Sequence, residues 1–305
     1  MSAAIEALVA EGRLARDVPL APLMTYRMGG PARWYAEPQS EADVVALARA
    51  LAGETVPVLV LGRGSNLLVS DAGFAGVVIH PGGSLAEWSI GPAGEVSAGG
   101  AVPTPLLARR SASAGRGGLE FYVGIPGSVG GAVRGNAGCH GTDTAEWLVA
   151  ARVVDTTTAA ITERTPAELD MGYRHSNLAQ TDVVVGARYR TVASGPADAE
   201  ARVREIIAWR KAHQPGGSLN AGSVFKNPPG DAAGRLIDAA GLKGLRVGGA
   251  SVSDRHANFF VAEPGATAQD VFDLVAEVRR RVFDHSGVAL ETEVQFVGEF
   301  REASA

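Results

Sequence analysis

Glycine sets the tightest limit on what this chain can become. It supplies 39 of the 305 residues, about 13% against a usual share of roughly 7%. Proline adds 16, and the two together stay below the range of low-complexity chains. The glycines therefore punctuate a folded protein and bring its backbone close to something. They crowd into two stretches, LGRGSNLLVSD (61–71) and GLEFYVGIPGSVGGAVRGNAGCHG (118–141).

Around these stretches helices and strands alternate, which argues for α/β layering. Residues 40–53 predict a helix. Ser40 and Asp43 stand at capping-box spacing, and Val44, Leu47, Ala48 and Leu51 recur with helical period. VPVLVLG (56–62) predicts a buried strand. Short strands between glycines are expected from about 75 to 100, a helix over 104–114, and strands over 148–155, 159–163 and 182–191. The second half opens with a helix near 197–212, closed by Gln214-Pro215-Gly216-Gly217. A late helix, 268–286, starts at Thr267 with Asp270 three residues on and ends at a C-cap Gly287. Its apolar stripe is Val271, Leu274, Val275, Val278 and Val282. VALETEVQFVG is then expected to form a terminal strand.

Charge and cysteine content remove several classes of function. A net charge of −5 and a pI near 5.7 argue against a nucleic-acid partner, whose footprint would be basic. The lone Cys139 excludes an internal disulfide and a cysteine-based zinc site. The six histidines show no metal-ligand spacing, so no metal is expected. MSAAIEALVAEGR carries Glu6 and Glu11 where a secretory leader needs an unbroken apolar run. No stretch has the 18 or so apolar residues of a membrane span. A cytoplasmic protein of several lobes is the expectation.

The first glycine loop fails as a dinucleotide helix. Gly62 and Gly64 fit G-x-G-x-x-G, but Leu67 occupies the third position and NLLVS reads as extended. The same residues suit a nest, in which bare backbone N–H groups with Ser65 and Asn66 face a pyrophosphate; an ordinary glycine turn explains them too. The second stretch has no lysine for a Walker A loop. Gly124, Pro126, Gly127, Gly130 and Gly131 would give a side-chain-free wall for a large flat cofactor, with Ser128 and Asn136 supplying hydrogen bonds. A long surface loop is the alternative.

Acid–base candidates are fewer. Lysine occurs only at 211, 226 and 243 against 25 arginines, so Lys226 in NAGSVFKNP hints at a wanted ammonium, although chance serves nearly as well. GYRHSN (172–177) sets Tyr173, Arg174 and Ser176 in a polar turn, where Arg174 could clamp a carboxylate or phosphate or stay a solvated charge. In LETEV (290–294), Glu291 and Glu293 would share one strand face, usually an exposed one. No G-x-S-x-G elbow is present.

Eight segments in order resemble one family. They are TYRMGGPA (25–32), LGRGSNLLVSD, GIPGSVGGAVRGNAG, GYRHS, NAGSVFKNP, AGRLIDAAGLKG (233–244), HANFFV (256–261) and LETEV. Their order and spacing are similar to those of bacterial UDP-N-acetylenolpyruvoylglucosamine reductases, over about residues 20–298. The segment between Gln214-Pro215 and NAGSVFKNP is short, as in the compact, type II-like subclass that lacks a tyrosine loop over the substrate.

The resemblance implies an α+β fold: a two-lobed FAD-binding module of the vanillyl-alcohol oxidase (PCMH) type plus an α/β substrate-binding domain. An N-terminal helix would occupy 1–20, the FAD module 21–193 and the substrate domain 194–305, with the last strand, about 289–298, packing back near the first lobe. FAD would be held non-covalently by Arg27, Gly29, Gly30, Gly62, Arg63, Gly64, Ser65, Asn66, Gly124, Ile125, Pro126, Gly127, Ser128, Gly130, Gly131 and Asn136. NADPH would be the co-substrate. The implied reaction reduces the enolpyruvyl ether of UDP-N-acetylglucosamine enolpyruvate to UDP-N-acetylmuramate, for peptidoglycan and hence cell shape and division. Hydride would pass from FAD N5 to the alkene, followed by protonation by a serine. Ser223, Arg174 and Glu293 match the family's catalytic positions, while Tyr173, Lys226, Asn227 and Gln214 are assigned to substrate binding. A monomer is expected. Two other readings stay open: a flavin oxidase of the same fold acting on a sugar or alditol, and a non-catalytic nucleotide-sugar-binding protein.

Overall fold

The structure, a computed structural model, describes residues 3–302. These fall into two compact units. One holds the residues up to Asp17, Trp34–Arg63 and Gly76–Arg210; the other holds Val18–Arg33, Gly64–Ala75 and the chain from Lys211 on. The chain thus leaves and re-enters each unit, and its first glycine loop, 62–66, is divided after Arg63.

The first unit is organised by an antiparallel sheet. Its strands lie in the order Ile161–Arg164, Leu148–Asp155, Asp182–Tyr189, Val96–Gly99, Trp88–Ile90. Strand periodicity sends alternate side chains to opposite faces, and Asp182–Tyr189 uses both. Val184, Ala187 and Tyr189 enter one apolar core, while Val183 and Val185 enter another. Two register shifts between this strand and Leu148–Asp155 reset the alternation: the first adds Val149 to Leu148–Asp155, and the second adds Val185 to Asp182–Tyr189, so that Val184 shares a core with Ala187 and Tyr189. The first core takes the helix Thr104–Ser113 through Leu107, Ala108 and Ala112. The second takes the helix Glu41–Leu51 through Val44, Leu47, Ala48 and Leu51. Ser40 caps that helix, accepting from Asp43 N–H, as its sequence predicts.

The second unit is built on the helix Ala268–Ser286, which lays Val271, Leu274, Val275, Val278 and Val282 into its core. Burying each such side chain contributes about 1.5–3 kcal/mol. Both arms of the Thr267–Asp270 capping box form, and Gly287 closes the helix at φ +71°. Asp71, far away in sequence, adds a second cap by accepting from Ala268 N–H at 2.9 Å and Gln269 N–H at 3.1 Å. A meander of Arg246–Val247, Ala250–Val252 and Phe260–Ala262 accompanies the helix. Leu67–Val69, extended as expected, pairs in parallel with Gln295–Val297.

Three expectations change. The N-terminal helix covers Ala3–Ala10 and is followed by a strand, Ala15–Pro19. The glycine stretch 118–141 is not one flat wall: Glu120–Gly124 is a 3-10 turn, and Val129–Arg134 is a short helix capped by Ser128. The terminal strand shrinks to Gln295–Val297. Ahead of it, Thr292 forms a single antiparallel bridge with Phe225, through Lys226 N–H to Glu291 C=O at 2.9 Å and Glu293 N–H to Val224 C=O at 2.8 Å, and the path bends at 293–294 before Gln295.

Asp71→Ala strips two helix N–H groups of their acceptor while leaving the core intact. The denaturation midpoint of the full chain is expected to fall by the equivalent of about 1–2 kcal/mol; an unchanged midpoint would show that Thr267 and Asp270 suffice.

Candidate active site

In the first unit an open groove follows the strand Val58–Val60, with about 130 Å³ of enclosed space. Its wall includes Gly62, Arg63, His80, Ser128, Gly130 and Gly131. The glycines are there for closeness. A Cβ on Gly62 would stand 2.5 Å from Ser128 Oγ, and one on Gly130 would stand 3.2 Å from Gly100 C=O. Ser128 is buried, and its hydroxyl accepts from Gly131 N–H at 3.4 Å. Upstream, Thr104 Oγ1 donates to the carbonyls of Ile125 at 2.6 Å or Gly127 at 3.0 Å, which fixes the 125–127 turn next to exposed Pro126. Gly124 leaves room for Cys139, whose Sγ would lie 2.9 Å from an added Cβ. Burial pushes the Cys139 thiol up to about 11, against the opposing pull of Arg210 and Arg174, so it stays an inert thiol.

Arg174 also belongs to this unit. Its backbone sits in the left-handed region at φ +53°, a conformation that costs a non-glycine residue of order 1–2 kcal/mol and persists only where its surroundings enforce it. The enforcing contacts are visible. Gly172 and His175 bridge each other across the turn, Arg174 Nη2 donates to Gly138 C=O at 3.0 Å, and the guanidinium lies 5.2 Å from the centre of the exposed Tyr173 ring. Asn136, buried and also left-handed, donates to Gly172 C=O at 2.8 Å and to Asp143 at 3.1 Å, and accepts from Ala145 N–H at 2.9 Å. Its amide therefore fastens the turn that carries Arg174, in place of the wall-lining role expected from the sequence.

The second unit holds Ser223 and Glu293. Ser223 bridges Phe259, and the next residue, Val224, receives the Glu293 N–H at 2.8 Å. The serine segment is clamped by Asn258, whose amide accepts from Phe225 N–H at 2.9 Å and donates to Phe225 C=O at 2.8 Å. Asn66 Nδ2 donates to Glu293 C=O at 3.0 Å, and Asn66 C=O accepts from Gln295 N–H at 3.0 Å. The glutamate's peptide is thus held from both sides. Lys226 pairs with Glu291 through its ammonium, Asn227 Oδ1 accepts from Ala233 N–H at 3.0 Å, and Gln214 C=O accepts from Arg255 at 3.3 Å.

In the same unit Gly64 takes φ +57°, and a Cβ there would come 2.5 Å from Leu23 C=O. Gly29 faces Val69, and Gly30 faces the backbone of Asp71 and Gly73. Arg27, left-handed at φ +57°, donates to Pro22 C=O. Ser65 and Asn66 are half-buried.

Three residues in supporting positions went unread in the sequence: Asn258, Asp71 and His80. Asn258 had a usable signal. An amide inside the apolar run HANFFV must find partners if it is buried, and both its donor and its acceptor do.

Residues 214–297 match the family described as the C-terminal domain of UDP-N-acetylenolpyruvoylglucosamine reductase. Residues 32–162 match an FAD-binding domain family. Among curated proteins, the UDP-N-acetylenolpyruvoylglucosamine reductase of Methylorubrum extorquens is 45% identical over 288 residues, covering 94% of this chain and 92% of its own. That of Sphingopyxis alaskensis is 42% identical over 300 residues, covering 98% and 99%. Among solved structures, the reductase of that name from Thermus caldophilus superposes with a TM-score of 0.81 at 37% identity, over 94% of this chain and 99% of that one. Berberine bridge enzyme from Eschscholzia californica, 13% identical, superposes with a TM-score of 0.50 over 63% of this chain and 44% of its own, a likeness of fold alone. No helix among the described residues is long and apolar enough to cross a membrane. With relatives above 40% identity along nearly its whole length, the chain belongs to the UDP-N-acetylenolpyruvoylglucosamine reductase family, and its fold is α+β with an FAD-binding module.

Proposed function

We propose that the protein uses NADPH and non-covalently bound FAD to reduce UDP-N-acetylglucosamine enolpyruvate to UDP-N-acetylmuramate for peptidoglycan. The observation that carries the reading, beyond family membership, is the joining of the Ser223 segment to Glu293 through Val224 C=O, which gives one neighbourhood a hydroxyl and a carboxyl group. The groove of the first unit fits a cofactor laid against backbone, since glycines form its wall and Arg63 stands at its edge. Gly62, Arg63, Ser128, Gly130 and Gly131 would hold FAD there. Bound flavin supplies the chemistry of hydride transfer, from NADPH to the terminal carbon of the alkene.

The chain's own residues then manage charge and a proton. Hydride addition pushes electron density onto the substrate carboxylate, and a guanidinium aimed there stabilises it as it develops. Arg174 takes that role; its strained, fastened backbone limits the motion that would blur its aim. The carbanion at the ether-bearing carbon takes a proton from Ser223 Oγ. A serine hydroxyl is a weak acid, so the transfer depends on the strong basicity of that carbon and on partners that stabilise the alkoxide. Glu293 shares the stabilising or protonating work. Tyr173, Lys226, Asn227 and Gln214 are assigned to the substrate, with Lys226 available to it by release from Glu291.

Ser223→Ala is expected to leave reduction of bound flavin by NADPH near normal and to lower turnover by about 10²–10⁴-fold. Stopped-flow absorbance resolves the two half-reactions, and equal loss in both would remove the donor role. Glu293→Gln should show the same split, and unimpaired turnover would take it out of the mechanism. Arg174→Lys keeps the charge but loses the planar fork, so kcat should fall by about 10–100-fold. A wild-type kcat in that variant would return Arg174 to the surface charges.

A further inference from the structure

His80 belongs to none of the eight family segments, yet it lines the groove of the first unit beside Gly62 and Arg63. It follows the strand Phe74–Ile79, and its ring is packed edge-on against Tyr35, with centroids 6.0 Å apart. Tyr35 Oη and His80 Nδ1 lie 2.6 Å apart, and the Gly62 backbone beside the ring favours its charged form. A phenol with its proton donates to Nδ1, so the neutral imidazole carries its hydrogen on Nε2. Nδ1 is then satisfied. It stays satisfied in the cation, because a tyrosine hydroxyl can rotate to accept from Nδ1–H. The ring can therefore change charge without changing partners or place.

The groups around it set the cost of that charge. Burial lowers the His80 pKa below the ordinary histidine value, Arg63 lowers it further, and Glu37 opposes them. Tyr35 is itself pushed up to about 12 by burial and by Glu37, so it remains a neutral phenol. Arg134 lines the groove too, but donates to the carbonyls of Ala179 at 3.0 Å and of Asp182. Without a ligand the imidazole is neutral at pH 7. A doubly charged diphosphate in the groove would favour the imidazolium.

We propose that His80 is a proton-coupled part of the FAD site, taking up a proton when the anionic diphosphate of the dinucleotide occupies the groove. The inference rests on the placement of FAD given above. By linkage, a ligand that raises a group's pKa binds more tightly as pH falls through that range. The phosphodiester charges are constant between pH 5.5 and 8.5, so the dependence belongs to the protein.

Equilibrium dialysis of the flavin-loaded full-length protein at fixed ionic strength gives the FAD dissociation constant at each pH. We expect affinity to rise by about 3- to 10-fold from pH 8.5 to 5.5, since a ligand that raises a pKa by about one gains at most about tenfold in affinity. In His80→Gln, which cannot titrate, the curve should be flat. Calorimetry on the wild type near pH 6, in two buffers of different ionisation enthalpy, should show uptake of part of a proton per FAD. A flat wild-type curve without proton uptake, or an equal rise in His80→Gln, would overturn the role of His80 and leave the reductase reading standing. A chain that holds no FAD at any pH would overturn both.

Discussion

One backbone hydrogen bond, from Glu293 N–H to Val224 C=O at 2.8 Å, ties the segment of Ser223 to that of Glu293. It is half of the antiparallel bridge between Thr292 and Phe225, and it sets a carboxylate-bearing residue against the segment that begins with Ser223. Its partners keep it in place. Asn258 holds both polar groups of Phe225, and Asn66 holds the carbonyl of Glu293. Buried peptide groups must be paired, so this clamp supports the fold of the second unit.

The same economy explains the glycines. Gly64, Gly29 and Gly30 stand where an added Cβ would strike Leu23, Val69 or Asp71, which are parts of the chain itself. Gly130 lines the groove against Gly100 C=O, 3.2 Å from an added Cβ, whereas Gly131 meets only Ser128 Oγ, at 3.5 Å. At these positions the glycines answer one demand, the close approach of one stretch of chain to another, which calls for the absence of a side chain.

How much could be read in the sequence depended on how local the cause was. The helix 268–286 was legible to the residue because its cap, its stripe and its closing glycine are neighbours in sequence. LETEV was legible as extended, but its pairing is a single bridge, Thr292 with Phe225, whose partner lies far away in sequence. The helix Val129–Arg134 hid behind Gly130 and Gly131, which weaken helix propensity. Asn136 looked like a ligand for a cofactor because its partners Gly172, Asp143 and Ala145 meet only in the folded unit. Ser223, Arg174 and Glu293 were assigned through family resemblance; by residue type alone Arg174 and Glu293 read more readily as surface charges. His80 was invisible for the same reason, since its meaning comes from Tyr35, 45 residues away.

The central claim is that this constellation reduces an enol ether. Following NADPH absorbance with the purified, FAD-loaded protein, with and without UDP-N-acetylglucosamine enolpyruvate, tests it most directly. The account predicts steady NADPH oxidation only when the enolpyruvyl sugar is present, one NADPH for each sugar reduced. Oxidation that ignores the sugar and consumes oxygen, or none at all with the sugar supplied, would contradict it.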